Sequence, residues 1–381
     1  MAQRRVLMIG LDGYEASVGD AMMAAGQLPA LKCLRERSAC FLLDQGSAKR
    51  TGLSWEQFSS GLAPGTGGRW GAVDFDPKSY AVRQQDTLLS PFVTSFSSSI
   101  VVFDVPYFNL ENAHRVQGLV NWGAHDAGVK PSSRPASLQQ EITSRFGTYP
   151  AKNWLYGFVW PSAEKTQIMA DALVRATEVR SKAARWLLTE RLPEWDLGIV
   201  VVSELHSAIE SLWHGIDPHH PLHDLPSSSP AGKGVRAIYC AVDKLVGELT
   251  EAIPDVAIVL FSLNGMGANN SDVSTMVLLP ELLYRYAFHK PYIQPIDWPI
   301  DKKGIPIFSN EQGWESEMRV AVAGQPPASR NRLLKKGRRI AGRLAHRFLP
   351  RSVTRYLPKA SIGLDWMPAA RYRHYWPDMR A

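Results

Sequence analysis

Arg5-Val-Leu-Met-Ile-Gly-Leu-Asp-Gly-Tyr14 is the stretch that decides the fold class. Val6 to Leu11 carries no polar side chain and then breaks at Asp12-Gly13. An unbroken apolar run of strand length predicts a strand covered on both faces, as in a parallel sheet. Downstream, Leu28-Pro-Ala-Leu-Lys-Cys-Leu-Arg-Glu-Arg37 has helical spacing. Val101–Pro106, Leu197–Ser203 and Val256–Ser262 are further short apolar runs, and Gly234–Ala252 between the last two is helical, with Ile238, Val242, Leu245, Val246 and Leu249 apolar. Strands alternating with helices predict a doubly wound, mostly parallel α/β sheet. Residues 107–195, poor in strand signals and rich in Trp, Tyr, Pro and Gly, read as an inserted cap, and Pro226-Ser-Ser-Ser-Pro230 reads as a loop. The expected organisation is an α/β domain over residues 1–290 and an irregular region over 291–381.

Composition sets the outer limits. Three cysteines (Cys33, Cys40, Cys240) among 381 residues fit a reducing cytoplasm rather than a disulfide scaffold. The N-terminal apolar run is too short for a secretory signal or a membrane span. The formal charge of +7 is local, because residues 330–355 hold ten Lys or Arg and no acid. No nucleic-acid partner is therefore expected. Within that segment Ile340, Leu344 and Phe348 recur at helical spacing between cations. Such a helix rests on an anionic membrane surface, making the protein peripheral, binds an acidic partner, or packs on the main domain with its charges in water.

Three predicted strands end in polar residues: Asp12, then Ser203-Glu204-Leu205-His206, then Ser262-Leu263-Asn264. Ligands of open α/β sheets collect at such carboxyl ends. Asp12 suits a hard metal ion or a cationic group, or caps its turn. Thr51 and Ser54 precede a predicted helix, and either is a helix cap or a metal-activated nucleophile. His206, Glu210 and His214 share one helix face at i, i+4, i+8, as zinc, manganese or iron ligands or as a solvated polar face. The histidines around Pro218 and Pro221 read as surface or substrate rim.

In that order, Val6–Gly13 with Leu28-Pro-Ala-Leu31, Thr51–Gly61 with Pro64-Gly65, Glu204–His214, and Ser262-Leu-Asn-Gly-Met-Gly267 resemble the type I phosphodiesterase/nucleotide pyrophosphatase branch of the alkaline phosphatase superfamily. The resemblance runs from about residue 5 to 285. It implies an alkaline-phosphatase-like fold and a phosphorylated small-molecule substrate. It also implies a divalent-metal site of one or two ions, zinc or manganese, and in-line displacement at phosphorus. Counting back from Ser60-Gly61, it makes Thr51 the nucleophile and, with Asp12, a ligand of the first ion, Ser54 being the alternative hydroxyl. His206 and Glu210 would serve the second ion. The sequence departs from the family where His206 and Glu210 replace Asp-x-x-x-His, where Leu263 and Asn264 replace Asp-His, and where Gly67 replaces a His. The closing Leu364-Asp-Trp-Met-Pro368 and Tyr375-Trp-Pro377 look like a segment that in relatives leads into further sequence. The expected function is hydrolysis of phosphodiester or pyrophosphate bonds at a remodelled site. The alternatives are related chemistry, as monoester or sulfate ester hydrolysis or phosphoryl transfer, and a non-catalytic relative that binds a phosphorylated ligand or a protein.

Overall fold

The computed structural model describes residues 5–76, 81–156, 159–265, 278–294 and 300. The first strand, β1 (Val6–Leu11), leads to helices α1 (Ala16–Ala24), α2 (Pro29–Glu36), α3 (Ser54–Ser60) and the single turn α4 (Pro64–Gly67). A two-stranded sheet of β2 (Val73–Asp76) and β3 (Ala81–Gln84) follows. Next come β4 (Ile100–Phe103), β5 (Val116–Val120), β6 (Ser132–Arg134), α5 (Leu138–Phe146), α6 (Ala163–Trp186) and β7 (Leu197–Val202). The chain continues through α7 (Glu204–Leu212), α8 (Ser228–Ala252), β8 (Ala257–Phe261) and α9 (Leu279–Phe288).

The main sheet has six strands in the order β6-β5-β4-β7-β1-β8, and every pair except β5–β6 is parallel. In register, Ile9 of β1 stands beside Val200 of β7 and Leu260 of β8. Strand alternation sends successive side chains to opposite faces, and each face has its own core. Leu7, Ile9, Val101, Phe103, Val200 and Val202 pack with α6, α7 and α8. Ile100, Val102, Ile199 and Val201 pack with Leu53, Trp55 and Phe108. Burial on both faces is why the strand sequences read as continuous apolar runs.

Two segments differ from expectation. Residues 107–195, read as a cap, supply β5, β6, α5 and α6, and so belong to the sheet and its covering layer. Gly118 in the middle of β5 and the three-residue β6 weaken the strand pattern there. Residues 226–230, read as a loop, open α8 at Ser228, with Pro230 in its first turn. The first N–H groups of a helix have no intrahelical partner, so proline there loses nothing.

The chain divides into two compact units, residues 1–74 with 82–268, and 75–81 with 269–381. In the second unit α9 ends at His289 in a left-handed conformation, and its Glu281 accepts hydrogen bonds from the Tyr292 and Ile293 amides. The basic segment 330–355 lies outside the described residues. No helix among the described residues is long and apolar enough to cross a membrane.

Candidate functional site

The carboxyl ends of β1, β5 and β7 meet at one cavity of about 360 Å³ in the first unit. Asp12, one residue beyond β1, is 2% exposed, and its carboxylate accepts hydrogen bonds from Trp55 Nε1 at 2.8 Å and His206 Nδ1 at 3.1 Å. Gly13 makes this approach feasible. It has φ +73°, and a Cβ there would lie 2.6 Å from the His206 Cα. His206 sits in the first turn of α7, immediately after β7.

The third member is His125, in the loop after β5. Its ring stacks on that of His206, with centroids 3.8 Å apart and planes 15° from parallel. Asp12, His125 and His206 each offer a ligand atom within 4.8 Å of the others, and among the described residues no other trio of His, Cys, Asp or Glu does so. Two carboxylates flank His125, with Glu210 3.3 Å from Nε2 and Asp126 3.4 Å from Nδ1. Burial lowers the pKa of His125, but the bonds and charges of Asp126 and Glu210 outweigh it and raise the pKa to about 10. Burial likewise pushes Asp126 up, and the contact with His125 leaves its carboxyl below the ordinary range.

The sequence-derived residues separate clearly. Asp12, His206 and Ser54 line the cavity, as do Leu263 and Asn264. Glu210, one turn beyond His206, lies 3.9 Å from its Nε2 and also reaches His125. Thr51, expected as nucleophile and ligand, is absent from the lining. Its hydroxyl is used by the turn before α3, donating to the Ala48 carbonyl and accepting from Leu53 N and Gln57 Nε2. Ser54, the first residue of α3, donates to Gln45 Oε1 at 2.6 Å on the cavity wall. Gln45 in turn donates to the Leu263 carbonyl, tying this wall to the end of β8. Asn264 borders the space. Gly67 ends α4 away from the lining.

His214 does not extend the His206–Glu210 face. The α-helix stops at Leu212, and a 3₁₀ turn over Trp213–Gly215 rotates His214 into the protein, where its Nε2 meets Ser227 Oγ at 3.0 Å. Burial lowers its pKa from 6.5 to about 4. Between those values the unfolded chain binds a proton that the folded chain refuses, so stability falls as pH drops from about 6.5 to about 4. The expected loss is at most about 3 kcal/mol. Urea unfolding at both ends of that window should show a smaller pH dependence in His214→Gln than in the wild type.

His125 was missed by sequence reasoning. The available signal was His125-Asp126 shortly after the apolar pair Leu119-Val120, a strand end like the other three.

A family model described as type I phosphodiesterase / nucleotide pyrophosphatase matches residues 6–304. The chain belongs to this family. As a type I phosphodiesterase/nucleotide pyrophosphatase family member it has Asp12 after its first strand and His206 and Glu210 after β7. Two similar solved structures are of phosphonoacetate hydrolase from Sinorhizobium meliloti 1021. The complex with phosphonoformate is 18% identical, with a TM-score of 0.44, covering 69% of this chain and 57% of that one. The complex with phosphonoacetate is also 18% identical, with a TM-score of 0.45, covering 79% of this chain and 66% of that one. The matched part of the family member thus spans less than two thirds of those hydrolases. No curated protein matches the chain.

The residues present fit a divalent cation. One buried carboxylate and two imidazoles form a donor set suited to zinc or manganese. Asp126 and Glu210 stand where carboxylates commonly support ligating histidines.

Proposed function

We propose that this family member hydrolyses phosphodiester or pyrophosphate bonds at a remodelled, single-metal site held by Asp12, His125 and His206. The observation that carries the reading is the approach of these three donors from the ends of β1, β5 and β7, beneath a cavity walled by the Ser54 hydroxyl. His125 stands in for donors that Leu263 and Asn264 do not supply. When bound, the metal supplies positive charge for a phosphoryl oxygen and lowers the pKa of a coordinated hydroxyl.

The chain's own residues do the rest. Trp55 and His206 fix the Asp12 carboxylate toward the cavity. Asp126 and Glu210 flank the His125 ring and would fix its orientation toward a bound cation. Ser54 offers the nucleophile, and Gln45 Oε1 orients its hydroxyl. No Lys or Arg among the described residues lines the cavity, so a bound cation would be what meets charge on the substrate.

The test is hydrolysis of bis(4-nitrophenyl) phosphate, with 4-nitrophenyl phosphate beside it, by chelator-treated protein resupplied with zinc, manganese or magnesium. Diester turnover that returns with zinc or manganese and exceeds monoester turnover is expected. A second reading, a non-catalytic binder of a phosphorylated ligand, draws on Leu263 and Asn264 at the cavity wall. It predicts inorganic phosphate binding with no turnover under any of these metals.

A further inference from the structure

Arg180 of α6 is wholly buried, at 0% exposure, beneath the site. Its Nε donates to both carboxylate oxygens of Glu204, at 2.9 and 3.0 Å. Nη1 donates to Asp104 at 2.8 Å and to the Val201 carbonyl at 3.0 Å, and Nη2 to the Gly123 carbonyl at 3.1 Å. Asp104 lies one residue past β4 with φ +59°, and its carboxylate accepts the Trp122 and Gly123 amides, both at 2.8 Å. One guanidinium thus joins the ends of β4 and β7, the first residue of α7, and the loop after β5.

Two of those segments carry the stacked imidazoles. Gly123 stands two residues before His125, and Glu204 two residues before His206. The His125–Glu210 contact also links loop and helix, but it runs through a half-buried carboxylate, whereas Arg180, Asp104 and Glu204 are fully buried and tie both segments to the ends of β4 and β7. A buried ion cluster is a poor source of net stability, since desolvation offsets most of its attraction. A rigid planar fork with fixed donor directions is, in contrast, well suited to setting geometry. We propose that Arg180 is a positioning residue that fixes the spacing of His125 and His206 by clamping the segments that bear them. The inference rests on the reading that these histidines and Asp12 hold a metal.

The test uses the full chain with cobalt(II) as probe, in wild type, Arg180→Lys, Glu204→Gln and Leu249→Ala. Lysine keeps the charge but cannot reach the same set of acceptors. Glu204→Gln keeps the shape and weakens the pairing. Leu249 is a buried α8 residue outside the cluster, so its truncation controls for lost stability. Cobalt affinity should fall about 10–100-fold in Arg180→Lys and Glu204→Gln, with an altered cobalt absorption spectrum, and stay unchanged in Leu249→Ala. In the metal-free proteins, the proton NMR contact between the two imidazoles should be present in wild type and Leu249→Ala and weakened in the other two. Folded Arg180→Lys or Glu204→Gln with wild-type affinity and ring contact would overturn the proposal, as would an equal loss in Leu249→Ala. Should Arg180→Lys not fold, Glu204→Gln decides alone by the same criteria. Absence of cobalt binding by the wild type would reject the metal reading, and the metal-free ring contact would then decide the clamp separately.

Discussion

His125→Ala is expected to lower zinc affinity by more than about 100-fold, with diester turnover at limiting zinc falling in proportion. Disturbing a carboxylate that merely supports a ligand typically costs about 10–100-fold, and this substitution removes one of three donors outright. It also leaves Glu210 and Asp126 facing a cavity without the imidazole between them. His219→Ala is the control, because His219 is exposed and outside the lining. Isothermal titration with zinc distinguishes the two variants. Unchanged affinity in His125→Ala would remove this residue from the site and return the donor set to the α7 segment.

Ser54→Ala is expected to reduce diester kcat/KM by about 10⁴-fold, whereas Thr51→Ala keeps most of it. Loss of a nucleophile that works as one unit with its activating groups is generally that severe. Ser54 shares the cavity with Asp12 and His206, while the Thr51 hydroxyl closes the preceding turn. Removing the latter should cost about 1 kcal/mol of stability for lost hydrogen bonding, read as a small shift in thermal midpoint. Steady-state rates of both variants at saturating zinc settle the assignment. The reverse pattern would give the nucleophile to Thr51, as the family register implies.

The fold was legible because burial on both faces leaves long apolar runs. Val6–Leu11, Leu197–Val202 and Ala257–Phe261 are parallel neighbours in the sheet, with Asp12 and His206 just beyond two of their ends. The i, i+4 pair His206–Glu210 also lies on one helix, as its spacing requires. What failed to show in the sequence depends on tertiary structure. His125 follows a strand whose Gly118 and exposed Gln117 blur the pattern, and only the β4–β5 pairing carries it to the site. Arg180, in a long helix, looks like an ordinary surface cation until α6 packs over the sheet. His214 left the ligand face because a 3₁₀ turn has three residues per turn rather than 3.6, which shifts the phase of every later side chain.

The proposed chemistry depends on a single cation held by Asp12, His125 and His206. Equilibrium dialysis against zinc, followed by elemental analysis of the washed protein, tests it most directly. About one zinc ion per wild-type chain is predicted, with retention lost in both His125→Ala and His206→Ala. Two ions per chain, or one ion that survives both substitutions, would contradict it.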